Sequence, residues 1–180
     1  MRKDSKTYCE NQVLRAIHAR RSIRKFTEQP VSRDDLRTVL QAGLSAPSGL
    51  GRYPMRFMVF QGEDARRALF AAHCKHSGPY VLGAPAFIAL FMDQRRVYNA
   101  MKDHQGMGAC MENMLLAAHS LDLGTVWIGE ITSGQNEIVT QLNLDPEIYE
   151  LQGGICLGYP AQTPSAPETG PLEDYLLEEF

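Results

Sequence analysis

Apolar positions along the chain switch between two spacings, and the switches mark the elements. Val13, Leu14 and Ile17 fall at helical spacing within residues 8–19, which run straight into the basic cluster Arg20-Arg21-Ser22-Ile23-Arg24-Lys25. Ser32-Arg33-Asp34-Asp35 reads as a capping box with Asp in place of Glu or Gln. It opens a second helix with Leu36, Val39, Leu40 and Leu44 on its apolar face, and Pro47-Ser48-Gly49 ends it. The β formers Phe57, Val59 and Phe60 predict a strand over Met55–Gln61, followed by a helix from Glu63 to about His73. Residues 86–92 (AFIALFM) are apolar without a break, the pattern of a strand covered on both faces.

The next segment, from about Asp103 to Leu121, carries Met107, Met111, Met114, Ala118 and Leu121 on one helix face. Beside it runs a stripe of small residues, Gly106, Cys110, Asn113 and Ala117, against which a second helix can pack closely. A short strand at residues 125–128, a helix over 135–142 capped by Ser133, and a strand at 151–157 containing Gly153-Gly154 complete the predicted order. Strands alternate with helices, which gives an α/β or α+β class. Residues 160–171 hold four prolines and then lead into the apolar hook of Leu172, Tyr175, Leu176 and Leu177. Such an extended arm cannot bury itself locally, so its expected place is a neighbouring subunit.

Composition narrows the function classes. A chain of 180 residues with 44% hydrophobic and 22% charged residues is expected to form one globular domain over 1–180, with 160–180 as its arm. A formal charge of -3, from 18 basic and 21 acidic residues, provides no basic excess for a phosphate backbone, so no nucleic acid partner is expected. Residues 1–10 are polar and no apolar run is long enough for a membrane span, the expectation for a soluble cytoplasmic protein. The four cysteines lie far apart with no C-x-x-C pair, which signals neither a metal site nor a disulfide framework and points to reduced thiols.

Several chemistries drop out on pattern. G-x-G-x-x-G, the P-loop and H-E-x-x-H are all missing, and Pro47 stands where the nucleophile elbow around Ser45 needs its second glycine. His73-Cys74-Lys75-His76 has no second ligand pair and reads as a polar helix end. The basic cluster is more informative. Arg20, Arg21, Ser22 and Arg24 place forked donors and a hydroxyl on one turn at a helix end, which suits a phosphate monoester or else a solvated charged turn.

The company this cluster keeps decides between those readings. Arg20-Arg21-Ser22-Ile23-Arg24-Lys25-Phe26, Gln41 through Gly49, Asn113 through His119, Gly124-Thr125-Val126-Trp127-Ile128-Gly129-Glu130 and Leu157-Gly158-Tyr159-Pro160-Ala161 follow in order. Together they resemble the FMN-dependent nitroreductase family over residues 13–177. The resemblance implies an α+β fold, a central sheet flanked by helices, and a homodimer with FMN at its interface. It implies that Arg20 and Ser22 take the phosphate and ribityl side with Arg21 beside them, while Arg24 reaches N1 and the C2 carbonyl. Pro47, Ser48 and Gly49 would line the ring from the other subunit, and Gly129 and Glu130 would approach N5, through a backbone N–H. A cation at N1 stabilises the reduced ring, and glycines permit a flat ring near backbone. Trp127 is assigned to the core and left out of the site.

The implied activity is an NAD(P)H-dependent flavin oxidoreductase. NADH or NADPH would reduce FMN, which would pass two electrons to a nitroaromatic or quinone acceptor in ping-pong fashion, with no catalytic side chain and no metal. Two alternatives stand beside it, a flavin-binding or regulatory dimer without turnover and another superfamily branch such as a reductive dehalogenase. The chain departs from the family pattern at Leu50-Gly51-Arg52-Tyr53-Pro54-Met55, where G-N-x-Q-P-W is common. It departs again at Glu168-Thr169-Gly170, where a basic pair often precedes P-L-E, and Arg52 is the best substitute for that lost charge. It also lacks the insertion between central helices with which longer members cover the ring.

Overall fold

The computed structural model describes residues 11–166 and 169–178. Helix α1 (Gln12–Ala19) begins at Asn11, whose side-chain oxygen accepts from the amides of Val13 and Leu14 at 2.9 and 3.1 Å. The expected start at Tyr8 lies outside the described residues. Helix α2 (Arg33–Leu44) is capped as its sequence predicts: Ser32 Oγ accepts from the Asp35 amide at 3.0 Å and donates to the Asp35 carboxylate at 2.7 Å. Strand β1 (Met55–Gln61) follows.

The helix expected over 63–73 is shorter. The Asp64 carboxylate accepts from the Arg66 amide and guanidinium at 2.7–3.0 Å and folds the preceding residues into a turn, so α3 spans only Arg67–Ala72. Helix α4 (Gly78–Gly83) has no counterpart in the sequence reading. Arg67, 4% exposed, joins α3 and α4 by donating to the carbonyls of Gly62, Val81, Leu82 and Ala84. Its charge therefore meets the negative end of α4. Then come β2 (Ala86–Asp93), the long α5 (Ala100–Ser120, N-capped by Asn99), and β3 (Gly124–Ile128). A 3-10 turn (Glu130–Gly134), α6 (Gln135–Gln141) and β4 (Tyr149–Gly158) complete the body. Ser133 does not cap α6. Its hydroxyl donates to the Glu130 carbonyl at 2.9 Å, and Gly134 precedes the helix.

The class is α+β: the four strands form one antiparallel sheet in the order β1-β2-β4-β3, with helices on both faces. Alternation in β2 separates the two cores. Ala86, Ile88, Leu90 and Met92 meet α2 and α5 on one face, while Phe87, Ala89 and Phe91 meet α3, α4 and α6 on the other. The register of β4 against β2 slips after Leu90, which pairs with Gly153 while Phe91 pairs with Leu151, so Gln152 is a bulge residue. Gly153 sits at φ 139 there, a conformation that side chains disfavour.

The stripe of small residues on α5 finds its partner within the chain. A Cβ at Gly43 of α2 would lie 2.8 Å from Met114 Cγ and 3.0 Å from Cys110 Sγ, and Asn113 Nδ2 donates to the Ala42 carbonyl at 3.2 Å. Met107, Met111 and Met114 are at most 2% exposed, so this face leaves nothing for a second subunit to cover. The uncovered apolar surface lies elsewhere. Helix α1 buries none of its residues, leaving Val13 65% and Ile17 46% exposed, and Leu172, Tyr175 and Leu177 of the arm touch little of their own chain. Trp127, expected in the core, is 42% exposed on the edge strand β3. No helix among the described residues is long and apolar enough to cross a membrane.

Two stability outcomes follow from this packing. Met114→Ala removes a fully buried side chain beside Gly43, and urea unfolding is expected to show a loss of about 2–5 kcal/mol. His104 faces an acceptor at each ring nitrogen, the Glu150 carboxylate at 2.9 Å and the Ala100 carbonyl at 2.6 Å, so only the imidazolium donates to both. These two bonds raise its pKa above 6.5. The stability it adds is complete below about pH 6.5 and is lost as pH rises through the raised folded value. Stability measured against pH should lose that slope in His104→Gln.

Candidate functional site

The chain leaves α1 at Arg20 and is fastened at once to the sheet edge. Ser22 bridges Thr125 in parallel, the Ile23 amide donates to the Thr125 carbonyl at 2.8 Å, and Ile23 packs where a Cβ at Gly124 would lie 2.8 Å away. The basic cluster is thereby held against the start of β3. Behind it opens a cavity of about 520 Å³, lined by Arg20 and Arg21, His119 of α5, Thr125, and Gln162-Thr163 of the arm.

Both arginines are shaped by their surroundings. Arg21 Nη1 donates to the carbonyls of His18 and Arg20 at 2.7 Å each, folding the guanidinium over the last turn of α1. Arg20 Nε is buried without a hydrogen-bond partner among the described residues, although Glu112 Oε1 stands 3.4 Å away as an ion pair. The Glu112 carboxylate offsets its charge without a hydrogen bond, while the guanidinium as a whole lines the cavity beside Arg21. His119 reports the local potential. Burial, and then the charges of Arg20 and Arg21, push its pKa below 6.5 against the opposing pull of Asp122. Arg24 is exposed, further along the same segment.

Pro47, Ser48 and Gly49 lie apart from this cavity. They line a shallow groove of about 360 Å³ with Lys102, Gln105, Gly106 and Ala109 from the first half of α5. Gly49 is required by its own chain, since a Cβ there would fall 1.9 Å from the Tyr98 ring. Ser48 Oγ accepts from the Tyr53 amide at 2.9 Å, closing a turn in which Leu50, Gly51 and Tyr53 all take positive φ of 47–64°. Arg52 donates to the Val97 carbonyl at 3.3 Å and lines no part of the Arg20 cavity.

The two recesses open on one stripe of α5. Lys102, Gln105, Ala109, Glu112, Leu116 and His119 follow at steps of three and four, none of them buried, with the Pro47 groove at one end and the Arg20 cavity at the other. From Gly106 to His119 the helix rises about 20 Å. One chain therefore does not unite all the residues singled out from sequence; it holds Arg20, Arg21 and Ser22 at one end and Pro47, Ser48 and Gly49 at the other.

Gly129 and Glu130 follow β3. Nothing stands within 4 Å of a Cβ built on Gly129, and Trp127 lies exposed two residues earlier. The Glu130 carboxylate accepts from the amides of Ser77 and His76 at 2.8 and 3.1 Å, bonds that hold its pKa below the ordinary carboxylate value. Its side chain is committed to the turn before α4, and its carbonyl accepts from the Ser133 hydroxyl at 2.9 Å. Sequence reasoning missed His119, Thr125 and the exposure of Trp127. The spacing of the α5 stripe carried the signal for His119.

Comparison with known proteins shows what the chain as a whole is similar to. The family model described as "Nitroreductase family" matches residues 17–159. An FMN complex from Desulfovibrio desulfuricans, assigned to the nitroreductases, superposes with a TM-score of 0.91 at 46% identity over 94% of this chain and 98% of that one. The NADPH-flavin oxidoreductase of Vibrio harveyi is 31% identical over 86% of this chain and 68% of its own length. The FMN reductase [NAD(P)H] of Bacillus subtilis is 25% identical over 84% and 67%.

The cavity's charge can be tested directly. In an NMR titration His119 should show a pKa below 6.5, and adding inorganic phosphate should raise it as the anion offsets Arg20 and Arg21. A His119 pKa indifferent to phosphate would place the anion elsewhere.

Proposed function

The chain belongs to the nitroreductase family, and on that membership we propose that it is an NAD(P)H-dependent flavin oxidoreductase working as a homodimer with FMN at each of two composite sites. The observation that carries this reading is the cavity of about 520 Å³ lined by Arg20 and Arg21, two adjacent guanidinium groups whose charge suits a phosphate monoester. The relatives named above for flavin, and the neighbour solved with FMN, support the same reading.

The residues fit the cofactor. Arg20 and Arg21 would hold the phosphate, Ser22 the ribityl chain, and the exposed Arg24 the N1 and C2 carbonyl side, where its charge favours the reduced ring. Gly129 and the Glu130 backbone would lie at N5; the open space at Gly129 and the exposed Trp127 two residues earlier leave room for a flat ring. Pro47, Ser48 and Gly49 would cover it from the other protomer. The division of the recesses over the two ends of α5 supports that assignment, as do the uncovered faces of α1 and the arm. Residues 160–180 would then lie on the neighbour, on the single domain formed by 1–180.

Bound FMN supplies two-electron transfer from NADH or NADPH to a small acceptor of the nitroaromatic or quinone type. Both partners use one pocket in turn, so the kinetics are ping-pong. No side chain in the described site is placed as a general acid, and the acceptor takes its protons from water. The chain's contribution is to bind, orient and bias the potential of the ring.

Purified protein should be yellow, bleach with NADH or NADPH and recover its colour with menadione or nitrofurazone. Arg20→Ala removes a charge-assisted donor worth about 1.5–3 kcal/mol, so fluorescence titration should show the FMN dissociation constant rising roughly 10- to 150-fold. An unchanged constant removes Arg20 from the site.

A further inference from the structure

Around the groove of Pro47, Ser48 and Gly49 the charges do not balance. Arg56 and Arg95 both pair with Asp93, which is 1% exposed, at 2.9 Å. Three other cations in the same corner have no carboxylate in an ion pair among the described residues. Arg52 donates to the Val97 carbonyl, Arg96 donates to the carbonyl of Arg52 itself, and Lys102 stands 5.6 Å over the Tyr98 ring. Nearby acids are already engaged. Asp103, 3% exposed, accepts from the amides of Tyr98 and Asn99 at 3.0 Å each, and Glu150 is held by His104 and Gln94.

Without an ion-pair partner among the described residues, these three cations keep their charge available to an anionic ligand. All three are exposed, and Lys102 lines the groove beside Ser48 and Gly49. Next to them Leu50, Tyr53 and Met101 present apolar surface at 76, 46 and 73% exposure. In the Arg52 turn Leu50 and Tyr53 both take positive φ, at 52 and 47°, a conformation that side chains disfavour. An anionic group joined to a planar apolar body matches both halves of this surface.

We propose that Arg52, Arg96 and Lys102 form a selectivity rim on the flavin pocket that favours ligands bearing a phosphate or carboxylate beside a planar body. The inference rests on the oxidoreductase reading above. Two sources share that chemistry, the 2′-phosphate of NADPH and a carboxylate on an aromatic acceptor. The rim draws in either through charge, and binding through it weakens as salt rises.

The test uses the FMN-loaded protein and the double variant Arg52→Ala/Arg96→Ala, with Lys102→Gln and Arg96→Lys as companions should the double variant fail to fold. Calorimetry compares 2′,5′-ADP with 5′-AMP for the dinucleotide arm. Steady-state KM values compare 4-nitrobenzoate with nitrobenzene for the acceptor arm. The expected result is a loss of about tenfold or more for the charged probe of one arm, with its uncharged or less charged counterpart held within about twofold. Lys102→Gln should shift the same probe in the same direction, and Arg96→Lys should retain most of the wild-type preference. The arm that responds identifies the source. Equal changes for both members of each pair, or none, overturn the rim. So does dissociation of the variants into single chains in sedimentation with probe binding intact, which would assign the cations to a subunit contact. Failure of the wild-type protein to take up FMN, or to be reduced by either nicotinamide, would instead sink the reading beneath it.

Discussion

Burial of β2 on both faces is the constraint from which the rest follows. Every residue from Ala86 to Asp93 is enclosed, so each must satisfy one of two apolar layers, and a shift by one position would exchange their contents. A sheet so enclosed has no room for polar chemistry at its centre. Binding groups are driven to its margins, and the basic cluster is fastened beside β3, one of the two edge strands. The one polar residue in the enclosed strand, Asp93, sits at its end and is neutralised there by Arg56 and Arg95.

Legibility in the sequence tracked how strongly local pattern and tertiary environment agreed. The uninterrupted apolar run of β2 and the methionine face of α5 leave little choice of structure, and both form where periodicity places them. The Ser32 cap is equally local. Where one side chain overrules a pattern, sequence reasoning fails. Asp64 turns the chain before α3, and α4 is only six residues long, bracketed by Gly78-Pro79 and Gly83, too short for periodicity to register. The stripe on α5 was legible as a close-packing surface, but its spacing carries no mark of whether the visitor is α2 of the same chain or another subunit.

The candidate site divides in the same way. Arg20, Arg21 and Ser22 are adjacent in sequence and remain together in space, because Ser22 and Ile23 tie them to Thr125. His119 joins them from across the fold, marked in the sequence only by its place on the partly exposed stripe of α5. Gly49 shows the opposite case: its missing side chain makes room for Tyr98, a contact invisible in the sequence. Glu130 likewise spends its carboxylate on Ser77 and His76, so a residue that looks chemical by type acts as a brace between the turn after β3 and the start of α4.

The separation of Arg20 and Gly49 along α5 has a consequence for how damage is shared. In the homodimer proposed above, each pocket would take its anchoring end from one protomer and its covering end from the other. A lesion at the anchoring end in one copy and at the covering end in its mate would gather in a single pocket and leave the other whole. Two inactive parents could thus yield hybrids with half their pockets intact, so inheritance of a defect would follow the pairing of copies rather than the number of faulty chains.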